Sequence, residues 1–110
     1  MTLRTQRLAT LKSLLKERVM VLDGAMGTMV QDQNLTEEDF RGERFADYHM
    51  DIKGNNDILV ITKPELIRDI HLEFLRKGVD ILETNSFNAT TIAQADYDMQ
   101  DYVAEINLQA

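Results

Sequence analysis

Two short segments of this 110-residue sequence carry side chains suited to holding a small polar ligand. The first is Asp23-Gly24-Ala25-Met26-Gly27-Thr28, directly after the apolar run Val19-Met20-Val21-Leu22. A carboxylate at such a place can take an ammonium group. Glycines let a ligand approach the backbone and offer its N–H groups to a ligand carboxylate. One loop would then hold both ends of an amino acid. The plainer reading is a tight turn with a capping Asp. The segment is not a phosphate loop, because the Lys-Ser/Thr pair is missing, and its glycine spacing is wrong for a dinucleotide fingerprint. The second segment is Glu83-Thr84-Asn85-Ser86-Phe87-Asn88, after Val79-Asp80-Ile81-Leu82. The plainer reading there is a hydrogen-bonded turn into a helix. Glu83 tilts it toward a ligand role, because a carboxylate ending a buried strand needs a partner.

Other residues are weaker candidates. Arg41 and Arg44 lie among aromatics in Phe40-Arg41-Gly42-Glu43-Arg44-Phe45-Ala46-Asp47-Tyr48. They could meet an anionic ligand or another domain, but a solvated face with local ion pairs is the simpler reading. Of the two histidines, His49 has no partner cluster, and His71 falls off the apolar face of a predicted helix. His71 therefore reads as a surface or half-buried helical residue and not as a ligand. The chain has no cysteine. That excludes a disulfide framework, a Cys-ligated zinc site, an iron–sulfur cluster and a thiol nucleophile within these residues. The six methionines read as core filler.

Composition narrows the class. Twelve basic against nineteen acidic residues give a net charge of −7. An acidic chain lacks the basic footprint that nucleic acid or an anionic membrane requires. No window approaches the roughly 18 apolar residues of a membrane span, and no apolar stretch of signal-peptide type follows Arg4, Arg7 and Lys12. The expected address is the cytoplasm.

These segments need elements to position them. Leu8, Leu11 and Leu15 recur at helical spacing and predict a helix over 2–17. Residues 19–22 read as a buried strand ending at Asp23-Gly24, and 24–30 as a loop opening a short helix. Thr36-Glu37-Glu38-Asp39 has a capping Thr and acids in the first turn. Ile58-Leu59-Val60-Ile61 is a strand or a buried extended segment, which periodicity cannot decide. Thr62-Lys63-Pro64-Glu65 fits a capping box, followed by Leu66, Ile67, Ile70 and Phe74 on one helical face and a stop at Gly78. Residues 79–83 read as a second strand. Helices follow from about Thr90 and from about Met99, the latter with Val103, Ile106 and Ala110 on one stripe. With no stop signal in that stripe, the chain is expected to be cut in mid-helix. Strand–helix–strand alternation predicts an α/β fold with two parallel strands, the opening of a larger domain. Two unclosed strands and uncovered helix faces further predict that residues 1–110 alone self-associate or are poorly stable.

Four motifs add a resemblance. Residues 19–31 (Val-Met-Val-Leu-Asp-Gly-Ala-Met-Gly-Thr-Met-Val-Gln), 39–47 (Asp-Phe-Arg-Gly-Glu-Arg-Phe-Ala-Asp), 53–57 (Lys-Gly-Asn-Asn-Asp) and 83–91 (Glu-Thr-Asn-Ser-Phe-Asn-Ala-Thr-Thr) occur in that order. Together they resemble the start of the cobalamin-dependent methionine synthases, the 5-methyltetrahydrofolate–homocysteine methyltransferases. Betaine-dependent relatives share mainly the Asp-Gly turn and the 83–91 segment. The resemblance implies an N-terminal part of a (β/α)8 barrel, with residues 1–110 forming a partial homocysteine-binding domain. It implies that Asp23 binds the homocysteine amino group. It implies that Gly24, Ala25, Met26, Gly27 and Thr28 line the amino-acid end, and that Glu83, Thr84 and Asn85 line the pocket from the second strand. The methyl group would pass from methylcobalamin, charged from 5-methyltetrahydrofolate, to a homocysteine thiolate held by zinc. The family's zinc cysteines would lie beyond Ala110, and folate and cobalamin would sit on other modules. Residues 1–110 alone are therefore expected to be inactive and to hold neither cofactor. A homocysteine methyltransferase with another donor, such as betaine, and a non-enzymatic α/β interaction module stand as the alternatives.

Overall fold

Thr2 opens the first helix, its hydroxyl accepting the Thr5 N–H at 3.2 Å. Helix α1 then runs Leu3–Leu14 in a computed structural model that describes residues 2–110. The predicted leucine stripe is present but covers nothing: α1 has no buried residue, and Leu8 and Leu15 are 50% and 57% exposed. The radius of gyration is 16.1 Å, against about 13 Å for a compact chain of this length. The excess fits an α1 that lies outside the packed body.

The predicted α/β fold is not what the chain forms. Among the described residues there is no strand and no sheet, and helices and turns carry the architecture. The segments expected as two parallel strands of a (β/α)8 barrel fragment meet in one isolated parallel bridge, Leu22 to Ile81. Three backbone bonds hold it: Asp23 N–H to Ile81 O at 3.0 Å, and Asp80 and Ile81 N–H to Val21 O at 2.8 and 3.2 Å. The Val21 N–H turns instead to the Asp80 carboxylate at 2.9 Å, which Arg18 grips with both guanidinium nitrogens at 2.6 and 2.8 Å. The physical reason is cover. A parallel ladder is stable when both faces are buried and further strands flank it. Here Val19, Val21 and Leu22 are 84%, 50% and 54% exposed.

The third apolar run, Ile58-Leu59-Val60-Ile61, is helical and not extended. A 3₁₀ turn, Asn56–Ile58, leads into α4, Leu59–Thr62. This short helix sits at the centre of the core, packed against α3 (Glu37–Arg41), α5 (Pro64–Arg76) and α7 (Val103–Gln109). Ile52, Ile58, Leu59, Met99 and Ile106 are fully buried around it. Each such side chain contributes about 1.5–3 kcal/mol by leaving water.

Local signals set the ends of these helices. In α3 the Thr36 hydroxyl accepts the Asp39 N–H at 3.2 Å, and Asp39 Oδ2 accepts the Thr36 N–H at 2.9 Å. The capping box expected at Thr62 is not formed. Thr62 ends α4, and Lys63 caps α5 without a side-chain bond, leaving Pro64 at the first position. That position suits proline, whose missing N–H has no helical partner there. Past α5, Gly78 takes a positive φ of 96° and Val79 N–H returns to Phe74 O, which closes the helix. Thr90 caps the short α6, Thr91–Gln94, through the Ala93 N–H at 3.1 Å.

Candidate functional site

Arg41 and Arg44 do not face a ligand. The Arg41 Nε bonds Glu37 at 2.9 Å, and its terminal nitrogens take the carbonyls of Ala46, Tyr48 and Met50 at 3.0–3.3 Å. Glu37 in turn accepts the N–H groups of Ile52 and Lys53 at 2.6 and 2.7 Å. Burial alone would raise the Glu37 carboxyl, but these N–H groups and Arg41 outweigh it and hold it below its ordinary value. Arg44 makes a two-pronged pair with Glu105 of α7 at 2.5 and 2.8 Å. The charged loop is thus a brace. It fixes the chain from residue 42 to 53 and delivers Gly54-Asn55-Asn56-Asp57 to one place.

That place is a cleft of about 500 Å³. The volume is in the range of small-molecule sites. Asp23, Gly24, Ala25, Met26 and Gly27 line one side, and Glu83, Thr84 and Asn85 another. The structure therefore brings together the two segments singled out from the sequence. Thr28 does not share in it: it sits exposed in the first turn of α2, Met26–Gln31, outside the cleft lining.

Hydrogen bonds tie the two sides. Asp23 Oδ1 accepts the Glu83 N–H at 3.0 Å, so the carboxylate organises the second segment directly. The Asp23 side chain is only 5% exposed, and its Oδ2 lies 3.9 Å from His71 Nδ1 on α5. Ala25, at the start of α2, has φ 46° and ψ 33°. A left-handed alanine costs about 1–2 kcal/mol. The strain sits in the middle of the candidate loop.

A third wall was missed from the sequence. Asn55, Asn56, Asp57, Gln94 and Tyr97 also line the cleft. Asn55, Asp57, Asn85 and Gln94 are each at most 7% exposed. Asn55 and Gln94 exchange amide bonds at 2.8 and 3.1 Å, and Gln94 also bonds Asn88 O at 3.1 Å. Asn85 reaches Asn56 O at 2.9 Å, and Asp57 Oδ2 accepts the Asn88 N–H at 2.7 Å. Burial raises the Asp57 carboxyl above its ordinary value, partly offset by that N–H. The available signal was position. Two amides and an acid directly precede the apolar run 58–61 and are carried into the core with it.

No group of three or more His, Cys, Asp or Glu able to hold a metal exists among the described residues, and the chain has no cysteine. The residues present do not fit a zinc site. No helix among the described residues is long and apolar enough to cross a membrane.

The geometry defines a polar cleft of small-ligand size, walled by carboxylates and primary amides. A family model for homocysteine S-methyltransferase matches residues 20–110. The chain belongs to the homocysteine S-methyltransferase family. The matched span takes in all three walls of the cleft and leaves out α1.

Proposed function

We propose that this chain supplies the amino-acid-binding part of a homocysteine methyltransferase of the cobalamin-dependent methionine synthase type. One observation carries the reading: Asp23 and the glycine-containing loop after it share a cleft with Glu83, Thr84 and Asn85. Homocysteine is a zwitterion with a thiol tail. Asp23 would hold its ammonium group, the Gly24–Gly27 backbone its carboxylate, and the 83–85 segment would flank the chain that ends in sulfur. Charge-assisted bonds of this kind are the strong ones. The family match supports homocysteine as methyl acceptor. The motifs at 39–47 and 53–57 favour methylcobalamin over betaine as donor, with folate and cobalamin held on other modules.

The chain's own residues bind and orient the acceptor. Activation of the thiol needs a group that the described residues do not hold, so residues 1–110 alone are expected to bind without turning over. The test is a titration of the 110-residue chain with L-homocysteine, followed by backbone amide NMR. Shifts should concentrate at residues 23–27 and 83–88, and Asp23→Asn should abolish them. Saturation with no shift in these segments, or undiminished binding by D23N, rejects the reading. So does methyl transfer above background by the 110-mer, which would require an activating site here.

A further inference from the structure

The two oxygens of Asp23 are not equivalent. Oδ1 is committed to the Glu83 N–H at 3.0 Å. Oδ2 faces the imidazole of His71 at 3.9 Å from Nδ1. That nitrogen is buried and has no hydrogen-bond partner. An unpartnered buried polar atom is costly, and native structures leave few of them unexplained. The gap is too long for a hydrogen bond and too short to seat a bridging water. A small rotation of either side chain closes it. Hydrogen bonds around a binding site are often long before the ligand arrives and tighten in the complex.

We propose that His71 is a positioning residue for Asp23, donating from Nδ1 to Oδ2 and fixing the carboxylate's rotation toward the ligand ammonium group. This rests on the assignment of Asp23 to that ammonium. The placement follows from the fold. Helix α5 presents His71, 18% exposed at its side chain, to the end of the 19–23 segment, where Asp23 is 5% exposed. Oδ2 then receives two donors, one from the protein and one from the ligand, while Oδ1 stays on Glu83. With His71 removed, the carboxylate keeps a single anchor and can turn away.

The experiment measures L-homocysteine binding by calorimetry, and the His71 imidazole ¹⁵N shifts with and without ligand. Loss of a bond to a charged group predicts that His71→Leu weakens binding about tenfold or more. His71→Asn, whose amide nitrogen sits as many bonds from Cα as Nδ1 does, should restore most of it. His71→Gln, which places its nitrogen further out, should not. In the wild-type chain, homocysteine should move the Nδ1 resonance to that of a protonated, hydrogen-bonded nitrogen. Normal binding by H71L, or equal loss in H71N and H71L, overturns the proposal, as does an Nδ1 resonance that homocysteine leaves unmoved. The last readout needs no variant, so a substitution that fails to fold does not shield the idea. Undiminished binding by D23N is a different failure: it removes the assignment of Asp23 itself.

Discussion

The side-chain amides of Asn55 and Gln94 bond to each other in both directions, Nδ2 to Oε1 at 2.8 Å and Nε2 to Oδ1 at 3.1 Å. They stand 3% and 1% exposed. Thirty-nine residues apart in sequence, they join the braced 42–57 chain to α6 and close one wall of the cleft. Truncating either leaves the other's buried amide without its partner, which costs about 1–3 kcal/mol. In a double-mutant cycle on N55A and Q94A, the pair should cost less than the two single losses combined, with a coupling of about 0.5–3 kcal/mol. Additive losses in urea melts would show that the two amides act separately.

Glu37 is the anchor of the charged loop. It takes the Ile52 and Lys53 N–H groups and the Arg41 Nε at once. Ile52 itself is fully buried, so its N–H cannot turn to water. Glu37→Ala should destabilise the chain by about 2–3 kcal/mol. Amide exchange should accelerate first at Ile52 and Lys53. Glu38→Ala, one residue on and exposed, is the control and should stay within about 0.5 kcal/mol of wild type. Equal effects of the two would remove the brace from the account.

What could be read in advance divides along local and non-local lines. The Thr36 cap and the stop at Gly78 were legible, because each rests on a few adjacent residues. The loops at 23–27 and 83–85 each stood out by their residue types, but their meeting in one cleft joins residues 60 apart and needs no sheet to bring it about. The state of 19–22 and 79–83 was not legible. Their apolar runs have strand character, but only neighbours on both sides turn such a run into a sheet, and one parallel bridge is what forms. Residues 58–61 went the other way, since a four-residue apolar run has no period of its own and the surrounding core made it helical. The capping box at Thr62 failed because α4 had already claimed that residue. Gln94 carried no signal at all. Its role depends on meeting Asn55, a contact no spacing rule supplies.

Ile106 and Leu108 lie two residues apart on α7 and differ completely in burial, 0% against 81% exposed. Ile106 touches the same core that α4 fills. Ile106→Ala should cost about 2–5 kcal/mol, through lost transfer energy and the cavity left behind. Leu108→Ala should change stability by less than about 0.5 kcal/mol. Thermal and urea unfolding of the two variants measure this. A large loss at Leu108 would mean that its face is covered in solution.

Asp80 makes the acid limb of stability predictable. Its bonds from Arg18 and from the Val21 N–H hold the carboxyl at about 2, against an ordinary 3.8. A carboxylate with a lowered value in the folded chain stabilises it above its unfolded value, and that contribution disappears as the proton returns. The loss therefore falls in the window from about pH 4 down to about pH 2. Across that window the wild-type chain should lose stability more steeply than Asp80→Asn, which cannot titrate. Arg18 is 49% exposed at its side chain, so added salt should shrink the difference by screening the pair. A ¹³C titration of the Asp80 carboxyl reads the value directly. A midpoint near 3.8, or parallel acid limbs for wild type and D80N, would show that the Arg18–Asp80 clasp does not hold the single bridge between the 19–23 and 79–83 segments.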